Sequence, residues 1–101
     1  IVADTGDNDS VKSMVNQSIE LIGGIDILVN CAAKPLGQKK SGIEDKSLDE
    51  KIIEEINIKV MGYLRCSRAV IPFMKQNGWG RIINIAGLAY RSSGNIVGSL
   101  R

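Results

Sequence analysis

Three groups of polar or small residues directly follow apolar, β-branched stretches of the sequence. They are Asp4, the run Asn30, Cys31, Ala32 and Ala33, and the pair Ala86 and Gly87. Small residues let a ligand or another backbone approach closely, while the Asp and Asn side chains offer hydrogen bonds. If the apolar stretches are parallel strands, these groups lie side by side beyond the carboxyl ends of one sheet, where such sheets bind ligands. The sequence therefore predicts a ligand site at this edge.

The sequence lacks the residues that several other kinds of functional site require. The sequence contains no histidine, which removes the base of a Ser-His-Asp triad and most zinc sites with imidazole ligands. Its two cysteines, Cys31 and Cys66, are far apart and neither belongs to a CxxC pair. We expect them to be reduced apolar residues, with Cys31 a buried filler. The expectations are no metal site and a reducing, cytoplasmic location.

Composition excludes further classes of partner. The chain is 44% hydrophobic and 24% charged, which is globular composition. Its net charge of +2 comes from scattered Lys and Arg residues, without the dense basic run that nucleic-acid binding needs. No apolar run approaches the roughly 18 residues of a membrane span. The chain opens on IVADTG and closes on NIVGSLR without capping chemistry, which favours a fragment.

Apolar residues indicate strands and a first helix. Short apolar runs at residues 1–3, 25–29 and 81–86 predict three strands, the second and third buried on both faces as parallel strands are. A helix is predicted to begin among the N-cap residues at 7–10 and to end at Gly23 and Gly24. Its apolar positions at helical spacing are Val11, Met14, Val15, Ile19 and Ile22.

A longer second helix is predicted from Leu48 to about Gln76. Ser47 and Glu50 form a capping box before it, and Pro72 predicts a bend because it cannot donate a backbone hydrogen bond. The apolar positions expected on its core face are Ile52, Ile53, Ile56, Val60, Leu64, Val70, Ile71 and Met74, while Met61, Tyr63 and Cys66 are expected on a second apolar face. The order strand, helix, strand, helix, strand predicts an α/β fold with a parallel sheet.

Taken in order, four motifs resemble the middle of a short-chain dehydrogenase/reductase. They are the strand that ends in Asp4, the sequence DILVNCAA, the sequence INIKVMG and the sequence RAVIPFMKQNGWGRIINI. The resemblance covers essentially the whole chain. It implies a Rossmann-type doubly wound parallel sheet, of which residues 1–101 form a β-α-β-α-β portion within a single dinucleotide-binding domain.

The resemblance also implies a function. Members of the family bind NAD or NADP and transfer hydride between nicotinamide and a carbonyl or alcohol substrate, often as dimers or tetramers, here through helix 48–76. The match places Asp4 on the residue that hydrogen-bonds adenine, and Asn57 on the catalytic Asn that anchors a proton-relaying water. The residues that it places at the cofactor are Asp4, Thr5, Asn30, Cys31, Ala32, Ala33, Ile85, Ala86 and Gly87.

Departures from the family pattern raise an alternative. The position of the catalytic Ser falls on Gly87, and the expected Tyr-x-x-x-Lys does not occur, since Tyr90 is followed by Gly94 and no Lys follows Lys75. The family's glycine-rich phosphate loop would precede Ile1. The alternative is a catalytically inactive relative that binds a dinucleotide and acts as a binding or regulatory subunit.

Each site residue has a purely structural alternative as well. Asp4 can cap the turn or helix that follows it, Asn30 can satisfy backbone groups at a strand end, and Asn57 can be a packing or kink residue of its helix. An unrelated receiver or flavodoxin-like domain would carry an acidic cluster or a phosphate-binding loop at the strand ends. The sequence has neither at these positions.

Overall fold

Helices and strands alternate along the chain in a computed structural model that describes residues 1–33, 46 and 48–86. The elements are helix α1 (Asn8–Ile22), strand β1 (Ile27–Asn30), helix α2 (Leu48–Glu55), a π-helical turn (Ile56–Met61), helix α3 (Gly62–Asn77) and strand β2 (Arg81–Asn84). Among the described residues, no helix combines the length and the apolar character needed to cross a membrane. The composition of residues 34–46, which are polar and include Pro35, Gly37 and Gly42, predicts a loop. Residues 34–45 of that segment and the capping residue Ser47 lie outside the described residues.

The two strands pair in parallel, which confirms the predicted α/β fold. Ile27 is opposite Arg81 and Asn30 is opposite Asn84. One further backbone hydrogen bond extends the ladder at each end, from Arg81 N to Asp26 O at 2.9 Å and from Ile85 N to Asn30 O at 2.9 Å. A parallel pair requires a crossover connection, and α2, the π-helical turn and α3 provide it. The carboxyl ends of β1 and β2 are therefore level with each other.

Helix α1 begins and ends where the sequence predicts. The Asp7 side chain accepts a hydrogen bond from Ser10 N at 2.7 Å and caps the amino end. Gly23 ends the helix with a φ of 80°, a left-handed conformation that glycine adopts without steric cost. Val11 and Val15, four residues apart, are the buried positions of the helix. The predicted position Ile22 is exposed instead.

The core lies between α1, α3 and one face of β1. Val15, Val70 and Met74 form its buried centre, and Leu28 of β1 packs against it. Leu28 and Asn30 share the inner face of the strand because side chains alternate. This arrangement fixes α3 against the strand ends.

The face of the sheet opposite Leu28 is exposed, so the prediction that the strands are buried on both faces is wrong. On this face Ile27 and Val29 of β1 and Ile83 of β2 are exposed, Val29 by 50%, and Ile82, which is paired with Leu28 on the core face, is exposed as well. A parallel sheet hides both faces only when helices cover each of them. The described helices that pack on β1 do so on the face of Leu28.

The predicted first strand is also absent: residues 1–3 form no strand and pair with neither described strand. A strand needs a hydrogen-bonded neighbour, which local sequence does not supply. The family resemblance implies that residues 1–3, β1 and β2 correspond to the third, fourth and fifth strands of the doubly wound order 3-2-1-4-5-6. In that order the fourth and fifth strands are neighbours, whereas two strands separate the third from the fourth. The pairing of β1 with β2, and the unpaired state of residues 1–3, match that order.

The long helix changes its hydrogen-bonding pattern well before Pro72, near which a bend is predicted. Helix α3 continues through Pro72, while the π-helical turn occupies Ile56–Met61. There the Gly62 N–H bonds to Asn57 O, five residues back, as in a π-helix. The change of period separates the helix into two parts. Val70 and Met74 reach the core, whereas Ile53, Val60 and Leu64 of the predicted core face are exposed.

Candidate functional site

An amide pair joins the carboxyl ends of the two strands. Asn30 is only 5% exposed, and its Nδ2 donates to Asn84 Oδ1 at 2.8 Å and to Ser67 Oγ at 3.4 Å. Ser67 Oγ in turn donates to Tyr63 O at 2.7 Å. Asn30 thus links both strand ends to helix α3. Asn30 therefore has a structural duty at the strand end, but these two bonds go to side chains and not to the backbone groups that its structural alternative predicted.

The backbone of Ile85 is held on both sides as β2 ends. Its N–H donates to Asn30 O at 2.9 Å, and its carbonyl accepts from the Tyr63 hydroxyl at 3.1 Å. Burial raises the pKa of the Tyr63 phenol, and the charge that the Cys31 thiol acquires on ionisation raises it further. The phenol therefore stays protonated as a donor at neutral pH. Ala86 follows this anchored residue, and Gly87 lies outside the described residues.

Small side chains follow β1 at the same edge. Cys31 and Ala33 are exposed and Ala32 is half-buried, so small side chains lie at the surface beyond this strand end. The expectation that Cys31 is a buried filler is wrong, because the residue after inward-facing Asn30 points away from the core.

Cys66 is the buried cysteine and belongs to the core side of α3, not to the second apolar face on which it was expected. Burial raises the pKa of its thiol, and the nearby positive charge of Arg65 partly offsets this increase.

The segment after residues 1–3 is a tight, hydrogen-bonded turn. Asp4 Oδ1 accepts from Gly6 N at 2.7 Å, and Asp4 N donates to Ser10 Oγ at 2.8 Å. Asp7 N closes the turn on Asp4 O at 3.2 Å. Asp4 therefore has the turn role that was its structural alternative. Its carboxylate is exposed and remains accessible to a ligand.

The same turn is bound to the π-helical turn through Thr5 and Gly6. Thr5 Oγ1 donates to Ile58 O at 3.0 Å, and Asn57 Nδ2 donates to Gly6 O at 3.3 Å. Arg65 Nη1 donates to Thr5 O at 3.1 Å and to Asn57 O at 3.0 Å, while its Nη2 donates to Asn57 Oδ1 at 2.8 Å. Both polar ends of the Asn57 amide are thereby fixed in orientation.

Helix α3 connects the two groups of predicted site residues. On one side Tyr63 and Ser67 hold the strand ends around Asn30 and Ile85, and on the other Arg65 holds the turn at residues 4–6 and Asn57. Sequence reasoning missed these three residues of α3. The four-residue spacing of Tyr63 and Ser67 was a usable signal, because such residues share a helix face. Nothing in the sequence indicated the partners of Arg65.

Searching the described part of the chain for metal ligands finds no cluster of three or more His, Cys, Asp or Glu side chains. The chemistry that the described site offers is hydrogen bonding from backbone and amide groups around an open, small-residue surface. Such a surface suits a flat organic ligand with polar edges.

Comparison with known proteins finds one family. Its profile, described as short chain dehydrogenase, matches residues 1–98. The chain is 39% identical over 89 residues to the (2S)-[(R)-hydroxy(phenyl)methyl]succinyl-CoA dehydrogenase subunit BbsD of Thauera aromatica. That alignment covers 88% of this chain and 34% of that protein. The chain is also 33% identical over 89 residues to a 2-dehydro-3-deoxy-L-rhamnonate dehydrogenase (NAD(+)) of a Sphingomonas species, again covering 88% of this chain and 34% of that protein.

Solved structures agree in fold. The structure of gox2181 superposes with a TM-score of 0.76 at 25% identity and covers 94% of this chain and 36% of that one. An NAD+-bound xylitol dehydrogenase superposes with a TM-score of 0.76 at 23% identity, over 97% of this chain and 37% of that one. The chain spans about a third of the length of the curated relatives described above.

Proposed function

Because this chain belongs to the short-chain dehydrogenase family, we propose that it is the central part of the dinucleotide-binding domain of an NAD- or NADP-dependent oxidoreductase. The reaction proposed is hydride transfer between nicotinamide and the carbon of a carbonyl or alcohol substrate. One observation carries the proposal: the level carboxyl ends of two parallel strands, fixed by Asn30 and followed by small, open residues. Parallel α/β sheets bind nucleotides beyond this edge.

The described residues suit such a cofactor. Cys31, Ala32, Ala33 and Ala86 carry side chains small enough to let the adenosine part lie close to the backbone. Asp4 and Thr5 belong to a turn that is already ordered by its own hydrogen bonds, and the Asp4 carboxylate can accept hydrogen bonds from the exocyclic amine of adenine. The proposed cofactor contacts are therefore Asp4, Thr5, Ile85, Ala86, Gly87 and residues 30–33.

Within this proposal, the chain's own residues orient and support the ligand. The bound nicotinamide supplies or receives the hydride. Asn30 and Tyr63 hold the Ile85 backbone, so the segment that leads into Gly87 starts from a fixed position. Asn57 keeps its proposed role in catalysis, with an amide oriented by Gly6 O and Arg65.

Asn57→Ala tests that role. Turnover is expected to fall by about a hundredfold, the lower end of the range for positioned proton-transfer groups. Cofactor affinity falls less, because Arg65 Nη1 still bonds the carbonyls of residues 5 and 57. Steady-state rates and cofactor titrations, with Asn77→Ala at the exposed end of α3 as the control, measure the two effects. A turnover equal to that of the control would contradict the role.

A second function is favoured by Gly87, which stands where the family has its catalytic Ser. In that case the protein binds a dinucleotide without turnover and serves as a binding or regulatory subunit. Oxidation of NADH or NADPH with a panel of ketones and aldehydes separates the two functions. Substrate-dependent oxidation supports the enzyme, and saturable binding without oxidation supports the subunit.

We further propose self-association through helix 48–76 and a cytoplasmic location. The exposed apolar side chains of Ile53, Val60 and Leu64 project from this helix, and burying apolar area drives most protein association.

The proposed cytoplasmic location rests on the cysteines. Two unpaired cysteines fit a reducing compartment.

A further inference from the structure

The Arg65 side chain of helix α3 forms hydrogen bonds to two other segments of the chain. Its guanidinium reaches three acceptors: Thr5 O at 3.1 Å, Asn57 O at 3.0 Å and Asn57 Oδ1 at 2.8 Å. The first belongs to the turn after residues 1–3, and the other two belong to the π-helical turn. One side chain therefore holds two segments that are distant in sequence.

The π-helical turn supplies two of the three acceptors of Arg65, both on Asn57. Its Asn57 carbonyl accepts from Gly62 N as well as from Arg65, and its Ile58 carbonyl accepts from Thr5 Oγ1 at 3.0 Å. Gly62 allows the close approach, since a Cβ at that position would lie 2.9 Å from Thr5 Cβ. The turn at residues 4–6 is thus seated directly on the irregular part of the helix.

We propose that Arg65 is a positioning residue for the nucleotide: it holds the turn at residues 4–6 in the conformation that receives the adenine end of the cofactor. The inference rests on the proposed function, because Asp4 and Thr5 are the proposed adenine contacts. Arg65 acts through the Thr5 carbonyl and through Asn57, and it touches neither substrate nor nicotinamide. The carbonyl of Gly6 is fixed by the same network through Asn57 Nδ2.

The chemistry of the contact requires arginine. A planar guanidinium holds its donors on separate nitrogens in a fixed fork, whereas a lysine ammonium carries three donors on one nitrogen at the end of a flexible stem. Arg65→Lys keeps the charge, but its one nitrogen cannot occupy the positions of both Nη1 and Nη2, so at least one of the three bonds is lost. We expect the dissociation constants of NADH and of AMP to rise by about tenfold, as the loss of one or two hydrogen bonds predicts.

The test measures binding of NADH and AMP to the wild type, Arg65→Lys and the control Arg68→Lys. Arg68 is an exposed residue on the same helix, so its replacement should leave both constants unchanged. Amide hydrogen exchange of Gly6 and Asp7 without nucleotide provides a second readout, and it should accelerate in Arg65→Lys alone. Equal nucleotide constants in wild type and Arg65→Lys would overturn the inference.

Failure of the proposed function gives a different result. If the wild type binds neither NADH nor AMP, the proposed function fails, and the inference fails with it even if the exchange rates change. If the wild type binds both and Arg65→Lys binds equally well, only the role of Arg65 is wrong. Arg65→Lys keeps an aliphatic stem and the charge, so its effect is attributed to the hydrogen bonds, whereas a truncation to Ala would also remove the packing of the stem.

Discussion

Asn30→Asp is expected to lower the free energy of unfolding by about 3 kcal/mol. The substitution preserves the shape of the side chain but removes its donors, and Asn30 Nδ2 is the donor to both Asn84 Oδ1 and Ser67 Oγ. It also places a carboxylate where the residue is 5% exposed, and a buried charge without a donor is costly. Urea denaturation at neutral pH measures the loss.

The matched control is Asn84→Asp. Asn84 accepts from Asn30 Nδ2 and is exposed, so a carboxylate there keeps the hydrogen bond and its hydration, and stability should change by no more than about 0.5 kcal/mol. Burial raises the pKa of the carboxyl group introduced by Asn30→Asp above the unfolded value of about 4. The loss should therefore shrink as the pH is lowered toward that value. Equal losses in the two variants would show that Asn30 is not the buried donor.

Gly62→Ala is expected to destabilise the protein by about 2 kcal/mol through overpacking. A Cβ on Gly62 would lie 2.9 Å from both Thr5 Cβ and Thr5 Oγ1 and 3.2 Å from Thr5 O. Ala is favoured over Gly within a helix by about 1 kcal/mol, so a net loss must come from this contact. Displacing Thr5 also loosens its hydrogen bond to Ile58 O, and nucleotide affinity should fall in parallel.

Two comparisons isolate the contact. Gly24→Ala adds a Cβ whose nearest neighbour is Asn77 Nδ2 at 3.6 Å, an ordinary distance, and should be nearly neutral. Thr5→Gly removes Thr5 Cβ and Oγ1, the two atoms nearest to the new methyl group, so combining it with Gly62→Ala should give a smaller loss than the sum of the single losses. Strict additivity, or a stabilising Gly62→Ala, would contradict the close approach of these segments.

Local sequence determined helix α1 and the parallel pair. The Asp7 cap, the apolar spacing of Val11 and Val15 and the left-handed Gly23 all act within a few residues, so they can be read without tertiary structure. The alternation of helical and strand patterns likewise predicted the parallel pair, since antiparallel pairing does not need an intervening helix. The features of α1 depend on residues that are near neighbours in sequence, whereas the partners in the parallel pair are distant in sequence and their pairing was predicted from the order of the elements.

The features that the sequence did not predict depend on distant contacts. Residues 1–3 have strand composition, but pairing depends on a neighbour elsewhere in the sheet. The π-helical turn at Ile56–Met61 has the same apolar spacing as an ordinary helix, and the bonds of Thr5 and Arg65 to its carbonyls become visible only in three dimensions. Cys31 and Cys66 look alike in sequence, yet their opposite burial follows from which side of its element each occupies.

The proposed site for a nicotinamide dinucleotide lies beyond the carboxyl ends of β1 and β2. Titration with NAD+ and NADP+, followed by NMR of backbone amides, tests binding at this site. Saturable shifts are expected at Thr5, Ala32 and Ala86, with Gly24 and Gly78 unchanged, because those two glycines precede the strands at the opposite edge of the sheet. The absence of saturable shifts with either nucleotide, or shifts centred on Gly24 and Gly78, would contradict it.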